Sequence, residues 1–474
     1  MTDAPRRAIA WFRRDLRLTD NHMLEAATAQ ADRVWPVFVA DPDLLERHHA
    51  APARTAWFRA SVEALDARLR AHGSGLTVLS GRPDRVLRAH AASVGADAVF
   101  AGADEEPAAI ARDRRVAESV DLRLVHDQRI VPPSEIRTRA DEPFSVYTPF
   151  RRALESRLAE DPALLDPAEA DMDRLAPLAH GDGASGWSGE PAPHGLPPAG
   201  ERAATDRLRA FLRHELAGYR EDRDRPDRDA TSHLSPYLRV GAVSVRACWR
   251  AATNAAARGR ERNDPRLGRA ADTWRGELAW REFFAHVLAA HPRVASESFR
   301  PAYDRIEWVA GAEADELLAA WRTGRTGYPL VDAGMRQLVA TGWMHNRARL
   351  VTASFLVKHL GLDWRRGESV YLAHLLDADT AQNTGNWQWV AGVGTDAAPY
   401  FRIFNPTLQA RKFDPAATYI RRWVPELADV DAAHVHEPWR APEPPRGYPG
   451  PIVDHAEARQ RTLARYRAVD PSEA

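Results

Sequence analysis

Three hydroxyl side chains crowd the segment Thr231-Ser232-His233-Leu234-Ser235, just ahead of Pro236-Tyr237-Leu238. Hydroxyls beside the free N–H groups of a helix start can cradle an anion such as a diphosphate, although the same residues serve as ordinary helix caps. Further on, Trp274-Arg-Gly-Glu277-Leu-Ala-Trp280-Arg281 spaces Glu277, Trp280 and Arg281 by three and four, which puts all three on one helix face. An acid flanked by large aromatics suits a pocket that stacks and hydrogen-bonds a flat base. A surface ion pair beside a core tryptophan has the same spacing, and periodicity does not choose between them. More polar and aromatic side chains follow in Asn346-Arg347-Ala-Arg349-Leu350, Asp377-Ala-Asp379, Asn383 and Trp387-Gln-Trp389.

These residues need a large frame. A chain of 474 residues exceeds one hydrophobic core and points to two domains with a connector. Net charge is −1, from 65 basic and 66 acidic side chains, so the protein is no uniformly basic coat for nucleic acid and any phosphate contact must be local. Cys248 is the only cysteine, which rules out an intramolecular disulfide and a cysteine-rich metal site and suits a reducing cytoplasm. The opening MTDAPRRAIAWFRRD lacks a secretory apolar core and no later run has the length of a membrane span, so a soluble, cytoplasmic protein is expected.

In the first third, short apolar runs at Ala8–Phe12, Val34–Val39, Leu76–Leu79, Ala98–Ala101 and Leu122–Val125 alternate with helical periodicity over Arg54–His72 and Arg82–Ala92. This is the pattern of an α/β doubly wound parallel sheet, Rossmann-like, over residues 1–130. Residues 131–200, rich in Pro, Gly and Asp towards their end, read as an interdomain linker. Residues 201–474 are helical in pattern and rich in Trp, an all-α domain.

Read together, the strings resemble the DNA photolyase/cryptochrome family. WFRRDLRLTDN at Trp11–Asn21 is similar to its opening strand and loop, and the run from Gly327 to Asn405 is similar to its flavin-binding helical domain. Within the family the chain most resembles a class I cyclobutane pyrimidine dimer photolyase. The resemblance implies FAD as cofactor. It assigns Tyr219, Thr231, Ser232, Leu234 and Ser235 to the diphosphate region, and Glu277, Arg281, Asn346, Arg349, Asp377, Asp379 and Asn383 to the flavin and adenine. Arg349 is expected to pair with Asp379, and Asn383 to sit at the N5 edge of the ring.

The same resemblance implies light-driven repair of ultraviolet-damaged DNA, by electron transfer from photoexcited reduced FAD to a dimer flipped out of the duplex. Trp280 and Trp389 would stack the dimer, Glu277 and Asn346 would hydrogen-bond its pyrimidine edges, and Arg223, Arg347 and Arg402 would hold flanking phosphates. Trp387, Trp364 and Trp308 match the tryptophan chain that photoreduces the cofactor. In this family the domain matching residues 1–130 holds a light-harvesting antenna, a folate, a deazaflavin or another flavin, or none, and the residues here favour a deazaflavin or an empty site. There Glu106 matches a folate-contacting acid while Gly102 and Ala103 do not fit the folate set. A monomer is expected, with no metal and no membrane partner.

The alternative is a cryptochrome-type blue-light photoreceptor. Asn346, Asn383 and Trp389 are the repair-type residues at positions where plant cryptochromes typically carry Asp, Asp and Tyr. A (6-4) photolyase would have His at Asn346 and Leu350. Cyclobutane-dimer photolyases usually have Met at the latter position, so Leu350 is the one departure and loses a polarisable sulfur beside the lesion.

Overall fold

The computed structural model describes residues 7–43, 51–178, 195–396, 399 and 402–469. The chain divides into two compact units, residues 1–220 with 232–292, and residues 221–231 with 293–474.

The first unit opens with β1 (Arg7–Phe12), α1 (His22–Gln30), β2 (Arg33–Ala40), α2 (Pro52–Ala71), β3 (Thr77–Ser80), α3 (Pro83–Val94), β4 (Ala98–Gly102), α4 (Pro107–Ala117) and β5 (Leu122–Val125). The strands form one sheet of order β3-β2-β1-β4-β5, with every neighbouring pair parallel. β1 lies at its centre with β4 beside it, and both are buried almost throughout, which is why their sequences RAIAWF and AVFAG show no polar alternation. Asn21 starts α1 by accepting the Leu24 N–H at 3.0 Å, and Gly95, in the left-handed region at φ 65°, ends α3.

Residues 131–200 are more than a connector. They contain α5 (Tyr147–Glu160), whose Phe150 and Leu154 are buried, although residues 179–194 of the expected linker lie outside the described residues. Helices α6 (Gly200–Ala210), α7 (Ser235–Val240), α8 (Val245–Glu261) and α9 (Pro265–Ala290) complete the first unit.

The second unit is helical: α10 (Gly311–Arg322), α11 (Pro329–Thr341), α12 (Asn346–Lys358), α13 (Trp364–His374), α14 (Thr380–Ala391), α15 (Pro406–Phe413), α16 (Thr418–Trp423) and α17 (His455–Val469). Its core gathers Trp321, Phe355, Trp364, Trp387, Tyr419 and Tyr466. The Gly327-Tyr-Pro-Leu-Val-Asp332 string is structural. Buried Asp332 accepts hydrogen bonds from the Thr326 and Gly327 N–H groups, from Thr326 Oγ1 at 2.7 Å and from Tyr448 Oη at 2.5 Å. Gly327 has φ 80°, and a Cβ there would lie 2.3 Å from the Gly450 carbonyl oxygen. No helix among the described residues is long and apolar enough to cross a membrane.

Candidate functional site

In the first unit the expected diphosphate turn is built by long-range contacts. His233 takes a left-handed conformation at φ 50°, Ser232 Oγ accepts the Leu234 N–H at 3.4 Å, and the Ser232 carbonyl accepts Arg207 Nε at 2.9 Å. Ser235, exposed, begins α7; Leu234 is buried. The opening loop holds α7 in place. Arg14 Nε donates to the Arg239 carbonyl at 3.3 Å, the Leu16 N–H to Val240 at 3.1 Å and Arg17 Nη1 to Gly241 at 3.1 Å. A Cβ at Gly241 would fall 1.9 Å from the Arg14 carbonyl oxygen, so glycine is required for this approach. The arginines of WFRRDLR therefore position the hydroxyl-rich turn. Tyr219 is buried edge-on to Phe211, with ring centroids 5.5 Å apart.

Helix α9 supplies Glu277, Trp280 and Arg281. Arg281 Nη1 donates to the Gln128 carbonyl at 2.9 Å and to Glu282 Oε1 at 3.1 Å, and Nη2 to the Leu238 carbonyl at 3.5 Å. The buried acid of this helix is Glu282, which accepts the Ile130 N–H at 2.8 Å and whose carboxyl burial pushes up. Glu277 and Trp280 are half-buried. Sequence reading missed Tyr147, whose ring lies parallel to Trp280 with centroids 3.7 Å apart and planes 6° apart. Its hydroxyl, pushed up to about 12 mainly by burial, donates to the Gly276 carbonyl at 2.8 Å.

At the end of β1, Arg14 Nη1 pairs with Glu106 at 2.9 Å and Asp104 at 3.3 Å, and Arg239 with Glu106 at 3.5 Å. Arg13 pairs with Asp113 at 2.5 Å and also donates to the Gly102 carbonyl. Glu106, the expected folate contact, is thus tied to two arginines of its own unit, and Ala103, three residues before it, is buried.

The second unit brings together the other candidates. Asn346, exposed, opens α12 behind the cap made by His345, whose Nδ1 accepts the Arg347 N–H at 3.1 Å. Arg349 forms a two-armed pair with Asp377, Nη1 to Oδ1 at 3.2 Å and Nη2 to Oδ2 at 2.8 Å, while its Nε donates to the Met344 carbonyl at 2.8 Å. The expected Arg349–Asp379 pair is therefore corrected to Arg349–Asp377. Asp379 is engaged in capping α14, where it accepts the Gln382 N–H at 3.1 Å. The Asn383 amide group donates to the Glu368 carbonyl at 3.3 Å. Its Oδ1 accepts nothing from the described residues, which leaves one oriented acceptor for a ligand N–H.

Trp364 and Trp387 are fully buried and Trp308 and Trp389 partly so. The indole N–H groups of Trp364 and Trp387 meet no acceptor among the described residues. A buried donor left unpaired costs about 1–3 kcal/mol, and such groups call for an explanation in function. Thr231 and Arg223 are half-buried, and Arg402 is exposed. Arg347 is tied to Asp224 at 2.8 Å and lies over Phe413, 4.2 Å from the ring centroid.

Taken unit by unit, the chemistry present suits parts of a flavin nucleotide: hydroxyls in a turn of the first unit can take phosphate, and in the second unit a fixed arginine–carboxylate pair and an amide oxygen can take ring polar atoms. A sequence model of the FAD binding domain of DNA photolyase matches residues 274–468, and one of DNA photolyase matches residues 8–171. A deoxyribodipyrimidine photo-lyase of Agrobacterium fabrum is 39% identical over 97% of this chain and 98% of its own. A bacterial class III photolyase from Agrobacterium tumefaciens superposes with TM-score 0.87 at 37% identity, covering 100% of this chain and 99% of the other. A Synechocystis cryptochrome reaches TM-score 0.85 at 27% identity, covering 99% and 100%.

Proposed function

The chain belongs to the DNA photolyase family, and from that premise we propose how its own residues divide the work. Its function is light-driven repair of cyclobutane pyrimidine dimers in DNA, with FAD as cofactor. The observation that carries this is the match along nearly the whole chain to photo-lyases, together with a flavin-domain match spanning the candidate residues. When bound, reduced FAD supplies on illumination the electron that opens the cyclobutane ring and receives it back.

Arg349, fixed by Asp377, and Asn383, with Oδ1 open, hold the flavin ring. Asp379 keeps the start of α14 in place for Asn383. Tyr219, Thr231, Ser232, Leu234 and Ser235 take the diphosphate region, where hydroxyls and N–H groups replace phosphate hydration. Trp280 and Trp389 stack the flipped dimer at about 1–3 kcal/mol per base, comparable to the cost of unstacking a damaged step. Glu277 and Asn346 hydrogen-bond the pyrimidine carbonyl edges and steady the negative charge that develops there. Arg281 braces the Glu277 turn through Gln128 and Leu238. Arg402 and Arg223 contact phosphate directly. Arg347, held by Asp224 and Phe413, presents a pre-oriented guanidinium, partly neutralised.

Trp387, Trp364 and Trp308 pass an electron inward to activate oxidised cofactor. Trp387 and Trp364 are buried in the core of the second unit, which supports this role by holding both rings in fixed positions.

The motif pattern points to class I, whereas one photolyase structure that the chain resembles is of class III, so the assignment stands at the level of the family. We assign any antenna role to residues 1–130, with a deazaflavin preferred over a folate because Gly102 and Ala103 do not fit the folate set. Absorption spectra before and after denaturation would identify it, and a second flavin or no chromophore would overturn that choice. A monomer and a cytoplasmic location complete the proposal, the latter supported by the single buried Cys248. The cryptochrome reading is less supported, and turnover of dimers by the illuminated protein separates the two.

A further inference from the structure

An indole that stacks a lesion needs one face free and one plane fixed. Trp280 is bound on one face by Tyr147, centroids 3.7 Å apart and planes 6° apart. Phe283 stands edge-on to both rings, at 5.7 Å from Trp280 with planes at 78° and at 6.0 Å from Tyr147 with planes at 74°, and so limits sliding of the stack. Tyr147 is itself pinned at its far end. Its hydroxyl donates to the Gly276 carbonyl at 2.8 Å, in the same turn of α9 that carries Glu277 and Trp280. A Cβ at Gly276 would lie 3.1 Å from Arg151 Nη1 and 3.5 Å from Tyr147 Oη, so glycine leaves room for this approach. Arg151, one turn along α5, is anchored to Asp272 at 2.7 Å and Glu155 at 3.1 Å. Thus the first turn of α5 is clamped onto the one turn of α9 that holds both lesion-facing candidates.

We propose that Tyr147 is a positioning residue for dimer recognition: it occupies the back face of Trp280 and fixes the indole plane, so that a flipped pyrimidine meets a single preorganised face. This rests on the reading of Trp280 as a lesion-stacking residue. The hydroxyl is secondary, because the ring does the stacking and the bond to Gly276 only limits its rotation. Burial, partly offset by the Arg151 charge, keeps that hydroxyl neutral and donating. An unbraced indole would have to be ordered at the moment of binding, so loss of the Tyr147 ring should weaken dimer binding by roughly three- to tenfold.

The test uses full-length flavoprotein and two oligonucleotides of one sequence, one with a single cyclobutane thymine dimer and one undamaged. Dissociation constants are measured by fluorescence anisotropy in the dark, with flavin content as the folding control. Tyr147→Leu should weaken dimer binding three- to tenfold, leave binding of undamaged DNA unchanged, and keep the repair yield per absorbed photon at saturating enzyme. Tyr147→Phe should restore dimer binding to within about twofold of the parent. Combined with Trp280→Ala, Tyr147→Leu should add nothing, since its effect passes through that indole. If the Leu variant loses flavin, Tyr147→Met takes its place in the same comparisons. Equal weakening for damaged and undamaged DNA, or an undiminished effect in the Trp280→Ala background, would overturn the proposal. A parent protein with no preference for the dimer would instead refute the lesion-stacking reading on which it rests.

Discussion

Adding one methyl group at Gly367 should disturb cofactor activation while sparing repair. A Cβ there would lie 2.2, 2.7 and 2.9 Å from Cη2, Cζ3 and Cζ2 of Trp387. Carbon atoms rest at about 3.5–4.0 Å, so the ring or α13 must yield by about 1.3 Å. Trp387 is 2% exposed, with Tyr371 at 4.9 Å and Trp321 at 6.2 Å between ring centroids, so the indole has little room to retreat. Overpacking of this kind costs about 1–3 kcal/mol, and replacing a helical glycine by alanine returns about 1 kcal/mol. The net loss of roughly 0–2 kcal/mol leaves Gly367→Ala folded, with a melting temperature lower by a few degrees. Electron tunnelling falls steeply with edge separation and orientation, so the displaced ring should slow photoreduction of oxidised flavin severalfold. Photoreduction is followed by absorbance under blue light with an external thiol. Repair is then assayed after chemical reduction and should match the parent. Photoreduction at the parental rate, despite the expected loss of thermal stability, would refute the assignment of Trp387 to the electron path.

Trp387→Phe should go further, abolishing photoreduction while chemically reduced protein still repairs; loss of repair in that state would place the residue in the repair step. Asp377→Asn should release flavin during purification, since it breaks the two-armed pair that fixes Arg349; retention of full flavin content with unchanged affinity would contradict that role. Lys358, fully buried, has its amine pushed down from 10.5 to about 7 by burial, so the folded state favours the neutral form. Stability should therefore be lowest below about pH 7 and recover as pH rises towards 10.5, and Lys358→Met should raise the melting temperature at pH 7 and flatten that slope. Identical pH profiles for parent and variant would exclude a titrating Lys358.

All five strands and two of the helices between them were legible, because a parallel sheet covered on both faces demands apolar runs such as VWPVFVA; the helices at His22–Gln30 and Pro107–Ala117 were not singled out. Helix α5 escaped because Pro132, Pro133 and Pro143 punctuate its approach and Pro149 falls in its first turn, and because its apolar Phe150 packs on Phe283 of α9, far along the chain. Tyr147 was invisible for the same reason. The choice of Asp377 over Asp379 carried a usable signal. Asp379-Thr-Ala-Gln382 is a capping pattern, and a carboxylate engaged at a helix start is less available to an arginine. The role of Arg14 and Arg17 in bracing α7 depends on contacts between segments more than 200 residues apart in sequence, which no local pattern encodes.

Lesion turnover under light tests the central claim most directly. A (6-4) product requires proton transfer to return an oxygen-bearing group, for which an imidazole is suited, and Asn346 and Leu350 stand where the histidines would be. A cyclobutane dimer needs an electron and stabilised carbonyl oxygens, the latter being the role proposed for Glu277 and Asn346. Reduced protein is incubated with each lesion separately, illuminated or dark, and the products are quantified by chromatography for the parent and for Glu277→Ala. Repair of the cyclobutane dimer in light only, none of the (6-4) product, and a reduced yield in Glu277→Ala with flavin still bound are the predicted results. Dark repair, turnover of the (6-4) product, or an unchanged yield in Glu277→Ala would contradict the account.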